Sequence, residues 1–181
     1  MGKNIVVCLD GTGNEVISAI AGPDMVVLRG SRLPHAVDGH HEVPPGWSDW
    51  QAVDSSPVQR YYDYVLNENG RGVAYGDAPA DYSTSVLTAK ALQFLRGVHQ
   101  PFFLYFAPLA PHLPATPPPG EGGALLPLRH PPPSFNEADV LDKPPFIDRL
   151  RPLTPGDITE LKRKYRCRAA SLRQVDRGVN A

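Results

Sequence analysis

Three groups of side chains in this sequence are suited to chemistry by type and spacing. Asp10 directly follows a short apolar run, so its carboxylate lies at the predicted carboxyl end of a strand, where α/β sheets collect ligands. His112 follows a second apolar run on a Pro-rich loop. There it could donate to an anionic oxygen or, as the plainer alternative, hydrogen-bond to the backbone. His40, His41 and Glu42 are adjacent, and since neighbouring side chains rarely converge on one ion, a solvated turn is favoured over a metal site.

Other common catalytic patterns are not met. Cys8 and Cys167 could form at most one bridge, and neither belongs to a Cys-x-x-Cys zinc or redox motif. Gly11 and Gly13 are not followed by a third glycine at the spacing of a dinucleotide fingerprint. The sequence also contains no Gly-x-Ser-x-Gly nucleophile elbow.

Charge and hydropathy exclude some partners. Lys and Arg number 18 against 19 Asp and Glu, a net charge of −1 that gives no general attraction to nucleic acid. The apolar run before Asp10 is too short for a signal peptide. The uncharged stretch 101–111 is shorter than the ~18 residues of a membrane span. We therefore expect no membrane span, and the cellular location stays open.

A central sheet is predicted from apolar and β-branched runs. Residues 4–9 have the pattern of a buried parallel strand, and residues 102–107 are apolar on both faces. Between them, 61–66 and 71–75 flank the turn-forming residues 67–70, which indicates a β-hairpin. Together with the predicted helices, these strands give an α/β fold class.

Two helices are predicted. The first starts with Asp81 or Ser83 as its cap and ends at Gly97. The second has Thr154 as cap and Pro155 at its first helical position. Its apolar stripe comprises Ile158, Leu161, Tyr165, Leu172, Val175 and Val179.

Proline and glycine limit regular structure elsewhere. Of the 21 prolines, 15 lie between Pro101 and Pro155, and we expect residues 115–133 to be a surface segment without a core of its own. Residues 16–43 are punctuated by Gly and Pro, and no element is assigned there.

A series of short motifs runs in order from about residue 40 to residue 178. They are Val43–Trp50, the 61–70 hairpin, Asp81–Thr84, Pro101–Tyr105, Ala110–Pro114, Pro133–Glu137, Asp142–Pro144 and the closing helix from Tyr165 to Asp176. In this order they resemble the sulfatase family of the alkaline-phosphatase superfamily, and within it the N-acetylglucosamine-6-sulfatase-like enzymes. The resemblance implies an incomplete sulfatase sheet-and-helix fold with a long Pro-rich loop.

The resemblance implies hydrolysis of a sulfate ester on a sulfated amino sugar or glycosaminoglycan-like substrate. The family converts the Cys of a Cys-x-Pro/Ala-x-Arg motif to formylglycine, whose gem-diol attacks sulfur beside Ca²⁺. Cys8 lacks both following residues of the motif, and Cys167 has Ala169 in place but Ser171 where Arg is needed. We therefore assign no catalytic nucleophile, interpret Cys167 as a structural helix residue, and expect this chain alone to be inactive.

Two site residues carry over by resemblance. His112 matches the His of the family's Pro-His-x-Pro loop, which contacts the sulfate group, and is the predicted substrate-binding residue. Asp10 is the single candidate for the family's first metal-ligating pair, and its neighbour is Gly11. Ca²⁺ takes ~6–8 oxygen ligands, so we expect Ca²⁺ for the family but not its binding by this chain. The implied partners are a sulfated carbohydrate and a complementing sulfatase fragment.

The N-terminus resembles something else. Residues 1–29 are similar to the opening of an α/β-hydrolase group related to bacterial lipase effectors, so we predict an N-terminal strand-and-turn segment, 1–29, and a partial sulfatase-like domain, 30–181. Two other functions stay open. One is a non-catalytic module whose segment 108–133 binds a partner in polyproline form. The other is a lipase-like or phosphatase-like hydrolase built on Asp10.

The apolar strand 102–107 also leads to an expectation about stability. Without the rest of a sulfatase sheet, this strand would expose two apolar faces and unpaired edges. We therefore expect a low or non-cooperative melting transition.

Overall fold

The computed structural model of the chain describes residues 4–7, 25–29, 43–53, 60–99, 101–121 and 131–181. Its strands are β1 (Asn4–Val7), β2 (Met25–Arg29), β3 (Asp49–Val53), β4 (Tyr64–Glu68), β5 (Arg71–Tyr75) and β6 (Phe103–Ala107). Its helices are α1 (Ser83–Gly97), the short α2 (Pro145–Asp148) and α3 (Pro155–Val179). The predicted strands, hairpin and helices are therefore present, with β2 and β3 in addition.

The six strands form one mixed sheet in the order β1-β6-β2-β3-β4-β5. The strands β1, β6, β2 and β3 are parallel, and β4 and β5 extend the sheet as an antiparallel hairpin. The carboxyl ends of the parallel strands therefore meet at one edge, where the segment after β6 begins. Strand β2 lies within the stretch to which the sequence assigned no element.

The prediction that the apolar strand has unpaired edges is wrong. Strand β6 pairs with β1 on one side and β2 on the other. On one face Leu104 and Phe106 are buried in the main core, and on the other Tyr105 packs against a cluster that contains Trp50. Strand β6 is central because β1 and β2, from the N-terminal part of the chain, pair with its two edges. The prediction of unpaired edges did not take these two strands into account. The low melting transition stays a prediction.

The β4–β5 hairpin follows the predicted turn chemistry. Asn69 and Gly70 both have positive φ, 53° and 90°, which is the conformation of a two-residue type I′ turn. Asn67 Oδ1 accepts a 2.8 Å hydrogen bond from the Gly70 amide. Strand β4 begins at Tyr64, three residues later than predicted, because Asp63 adopts a φ of 52° and ends the extended backbone there.

Helix α1 starts and ends where the sequence predicted, but the predicted cap is wrong. Tyr82 is its N-cap residue, without a side-chain capping hydrogen bond. The Asp81 carboxylate instead accepts from the Gly76 amide at 3.1 Å, and Ser83 is the buried first residue of the helix. The Ser83 amide donates to the Tyr61 carbonyl at 2.9 Å, so a tertiary hydrogen bond satisfies one helix-terminal amide in place of a local cap.

Helix α3 begins with the predicted Thr154 cap, in a capping box with Asp157. The predicted apolar stripe is only partly correct. Val175 is buried, whereas Leu161, Tyr165 and Val179 are exposed. Leu161 and Tyr165 are exposed because the helix contacts α1 through its second half, where an added Cβ on Gly178 would lie 2.6 Å from Thr88 Oγ1. Within the described residues, no helix is long and apolar enough to cross a membrane.

Candidate functional site

The loop that carries His112 leaves the carboxyl end of β6 and folds into consecutive turns. The His112 amide donates to the Leu109 carbonyl, and the Ala115 amide donates to the His112 carbonyl, both at 2.8 Å. Leu109 and Ala115 are buried, so both ends of the turn are packed into the protein. The loop is therefore a fixed structure at the sheet edge where we predicted it.

Two buried tyrosines donate hydrogen bonds to the backbone of this loop. Tyr61 donates its hydroxyl to the His112 carbonyl at 2.8 Å, and Tyr82 donates to the Thr116 carbonyl at 2.9 Å. The two rings are stacked, with centroids 5.5 Å apart and 20° between their planes. Tyr61 is 2% exposed and Tyr82 is fully buried. The loop backbone is thus anchored by side chains from two distant parts of the chain.

The electrostatics of this pair keep both phenols protonated. Burial raises the pKa of Tyr61 and of Tyr82 well above the usual 10, because the phenolate would lose its solvation. A hydrogen bond with Ser171 and the charge of Arg168 partly oppose this rise in the pKa of Tyr61. A protonated phenol is a hydrogen-bond donor. Both tyrosines therefore keep their hydrogen bonds to the loop throughout the pH range below their raised pKa values.

One ring nitrogen of His112 is already hydrogen-bonded within the loop. Its Nδ1 lies 2.7 Å from the Leu113 carbonyl oxygen, which can only accept, so Nδ1 carries a proton. In the neutral ring Nε2 is then an acceptor, and it donates only in the imidazolium form. The backbone hydrogen bond that the sequence suggested as the plainer alternative therefore exists, but it uses one nitrogen and orients the other.

The other candidate residues are not brought to this loop by the described structure. Asp10, Cys8 and the 40–42 cluster lie outside the described residues. Cys167 is a half-buried residue inside α3, as predicted, with its Sγ 4.0 Å from the Arg163 guanidinium.

The donor set for a cation can be judged only on the described part of the chain. There, no three His, Cys, Asp or Glu side chains lie together in a way that could hold a metal ion. Because Ca²⁺ needs about six or more oxygen ligands, the described residues do not fit a Ca²⁺ site.

Sequence reasoning missed the roles of Tyr61 and Tyr82. Tyr61 counted there as a strand former, and Tyr82 only as part of a motif. A buried tyrosine usually finds a partner for its hydroxyl, which is the one signal that pointed to a polar role. The partners lie 51 and 34 positions away along the chain, so no local pattern identifies them.

The Pro-x-x-Pro motifs on this loop are not extended. Residues 109–114 form turns and bends, and Pro108 is fully buried. A polyproline-binding domain needs an accessible extended helix. The described part of segment 108–133 therefore offers no such surface at these two motifs.

The His112 loop, strands β3 to β6 and helix α3 all fall within a match to a known family. The family model described as Sulfatase matches residues 37–181, which is most of the chain. The chain belongs to the sulfatase family. The predicted resemblance is confirmed, and the match includes the predicted range of 40–178.

Several curated sulfatases are similar to this chain. The N-acetylglucosamine-6-sulfatase of Bos taurus is 32% identical over 142 residues, which cover 76% of this chain and 25% of that protein. The N-acetylglucosamine-6-sulfatase of Homo sapiens is 40% identical over 81 residues, 43% of this chain and 14% of that protein. The arylsulfatase of Volvox carteri is 29% identical over 169 residues, 80% of this chain and 26% of that protein. The chain spans about a quarter or less of the length of these relatives.

A solved structure has the same fold over part of the chain. BT4656, described in complex with its substrate D-glucosamine-2-N,6-O-disulfate, matches with a TM-score of 0.50 and 24% identity. The match covers 64% of this sulfatase-family chain and 22% of BT4656. The predicted α/β fold, a part of the sulfatase fold, is confirmed.

Proposed function

We propose that these residues form the sulfate-contacting part of a sulfuric ester hydrolase that acts on a sulfated amino sugar. The observation that carries the proposal is the anchored His112 loop at the carboxyl edge of the sheet. The family match supports the reaction class. The sulfated glucosamine named as the substrate of BT4656 and the names of the N-acetylglucosamine-6-sulfatases support the substrate class.

His112 would bind the sulfate group through Nε2. Because Nδ1 is held by the Leu113 carbonyl, Nε2 donates to a sulfate oxygen only when the ring is the imidazolium cation. The stacked tyrosines keep the loop backbone in place before the substrate arrives, so little ordering is left for the binding step. A sulfate ester is therefore complementary to the doubly protonated ring, which has a donor on each nitrogen and a positive charge.

Turnover needs more than these residues supply. The 181 residues contain no Cys-x-Pro/Ala-x-Arg motif, so they hold no precursor for formylglycine. Residues that act as one catalytic unit are strongly non-additive, and a retained His112 is not a fraction of an enzyme. The chain would bind the sulfated sugar without hydrolysing it and would need a complementing sulfatase fragment for activity.

Binding can be tested by NMR titration of the purified chain with glucosamine 6-sulfate, with glucosamine as the non-sulfated control. We expect the His112 ring resonances to shift only with the sulfate ester. His112→Ala should weaken binding roughly ten- to hundredfold, the range for loss of a charge-assisted hydrogen bond. The matched control is Lys162→Ala, at an exposed cationic residue on α3, away from the loop.

The outcomes separate the parts of the proposal. Equal shifts with both sugars, or unchanged affinity in His112→Ala, would contradict the sulfate contact. Release of sulfate from an aryl sulfate by the chain alone would contradict the need for a second fragment. Cleavage of an aryl ester instead would favour the lipase-like alternative.

A further inference from the structure

A second concave surface lies at the opposite edge of the sheet from His112. It is a cleft of about 600 Å³ bounded by the start of β3, the β4–β5 turn and the last turns of α1. Because β3 is parallel to β2, and β2 to β6, its first residue marks the amino edge of these strands. The side chains that matter in this amino-edge cleft are Asp49, Gln51, Asn69, Lys90, Gln93 and Phe94.

The glutamate in the cleft is neutralised by the protein itself. Glu68 Oε2 pairs with Lys90 Nζ at 2.8 Å, and Glu68 Oε1 accepts from the Tyr75 hydroxyl at 2.7 Å. Both members of the ion pair are mostly buried, with 24% and 19% of their side chains exposed. Lys90 has three N–H donors, so two remain after this pair is counted. The cleft therefore offers a donor without a strong net positive charge.

Amide groups surround the second carboxylate. Asp49 Oδ1 accepts from Gln51 Nε2 at 2.8 Å and from Asn69 Nδ2 at 2.9 Å. Asn69 is itself held in place, since its Oδ1 accepts from the Trp50 amide. The acceptors and donors of this wall are thus fixed by one another before any ligand binds.

Gln51 has an unmet hydrogen-bonding group. It is 6% exposed, and within the described part of the chain nothing donates to its buried Oε1. A buried acceptor without a donor costs about 1–3 kcal/mol, so native proteins usually supply a partner. A ligand hydroxyl group seated against this side chain would supply that donor.

We propose that the amino-edge cleft binds a neutral polyhydroxylated ligand, a sugar unit without sulfate or phosphate groups. Its fixed amides and carboxylate, next to Lys90, provide both donors and acceptors for hydroxyl groups, while Phe94 provides an apolar wall. The ionisable residues of the lining, Asp49 and Glu68 against Lys90 and His99, give no excess of basic groups to attract an anion. The volume is within the ~300–1,000 Å³ typical of small-ligand sites.

The test is an NMR titration of the full chain with methyl β-D-glucopyranoside and, separately, with its 6-sulfate. We expect the neutral sugar to shift the side-chain amide signals of Asn69 and Gln93, and the sulfated sugar to shift them less. Gln93→Ala should weaken this binding roughly three- to tenfold, as expected for loss of one neutral hydrogen bond. The matched control is Arg96→Ala, an exposed residue of the same helix that does not line the cleft.

Some results would overturn the inference. One is the lack of shifts at the cleft with the neutral sugar, and another is an unchanged affinity in Gln93→Ala. Stronger binding of the 6-sulfate at these amides would contradict the charge argument. The titration of His112→Ala with the neutral sugar should be unchanged, so this inference and the proposed sulfate contact fail independently.

Discussion

The His112 loop and the first half of α3 both reach the protein surface, but they are held in opposite ways. The loop is anchored by buried hydroxyls of Tyr61 and Tyr82, which come from distant parts of the chain. The first half of α3 is held by exposed local contacts, such as the Thr154 capping box and the pair between Glu160 and Arg163. Exposed pairs contribute little because water and salt screen them, whereas buried hydrogen bonds are costly to break.

This difference shows which backbone positions are held in a defined geometry by the rest of the protein. A residue that must meet a ligand with defined geometry lies where long-range packing holds its backbone. The exposed half-helix needs only its own sequence to form, so its side chains tolerate change. The predictions below compare the two regions with paired variants.

The largest effect is expected for removal of a buried ring. Tyr82→Ala should cost about 3–5 kcal/mol of unfolding free energy, because the side chain is fully buried and stacked on Tyr61. Tyr165→Ala, at a side chain 56% exposed on α3, should change stability by about 0.5 kcal/mol or less. Urea denaturation of both variants measures the difference. Similar losses in the two would mean that the regions are not held differently.

The next effect concerns the two ends of α3. Gly178→Ala should cost about 1–2 kcal/mol net, since the added Cβ meets Thr88 Oγ1 at 2.6 Å and this hydroxyl is bound to the Thr84 carbonyl. Gly156→Ala meets only Thr154 Oγ1, at 3.7 Å, and should be neutral or slightly stabilising. Thermal unfolding of the pair provides the measurement. A Gly178→Ala protein as stable as wild type would refute the close packing of α1 and α3.

A smaller effect is expected when only the anchoring hydroxyl is removed. Tyr61→Phe keeps the stacked ring but loses the hydrogen bond to the His112 carbonyl, at a cost of about 1 kcal/mol. Hydrogen exchange at the Ala115 amide, which bonds to the same carbonyl, should become faster. Tyr165→Phe is the control. If exchange in the loop is unaffected, Tyr61 packs against the loop without holding it.

The smallest effect is an acid-dependent loosening of the first half of α3. The Arg163 guanidinium lowers the pKa of Glu160 from 4.5 to about 2. A lowered pKa means that the stabilisation is complete above about pH 4.5 and is lost as the pH falls toward 2. Backbone chemical shifts of residues 158–164 should therefore lose helical character over this range, while those of the second half of α3 persist. Glu160→Gln should reduce the dependence to the part that comes from Asp157, whose pKa is lowered by hydrogen bonds from Arg151 and Thr154. A uniform loss along the helix would contradict local stabilisation.

Much of the fold could be predicted because its signals are local. The Asn69–Gly70 turn needs two residues with positive φ, and the Thr154–Asp157 box needs only four consecutive residues. Strand β3 was missed because it is short and has a single β-branched residue, Val53, and because the polar Gln51 in its middle is buried. The division of the chain at residue 30 stays a prediction, although β1 and β2 belong to the same sheet as β3 to β6.

At the candidate site, too, only some residues could be predicted from the sequence. His112 was predicted as the sulfate-contacting residue, and that role stays a prediction. The tyrosines beneath its loop and the amino-edge cleft could not be predicted, since each depends on residues brought together from three or more elements. Leu161 and Tyr165 belong to the predicted apolar stripe but are exposed, because a helical stripe does not tell which part of the helix has a neighbour to cover it.

The sequence by itself determined the α/β class, the hairpin, the ends of the main helices and the family, because these depend on neighbouring residues and on the order of short motifs. Only the tertiary structure decided that β6 lies between two N-terminal strands, that Tyr61 and Tyr82 anchor the His112 loop, and which half of α3 is packed. The physical reason is that burial and long-range hydrogen bonds depend on which surfaces meet, and no short stretch of sequence contains that information.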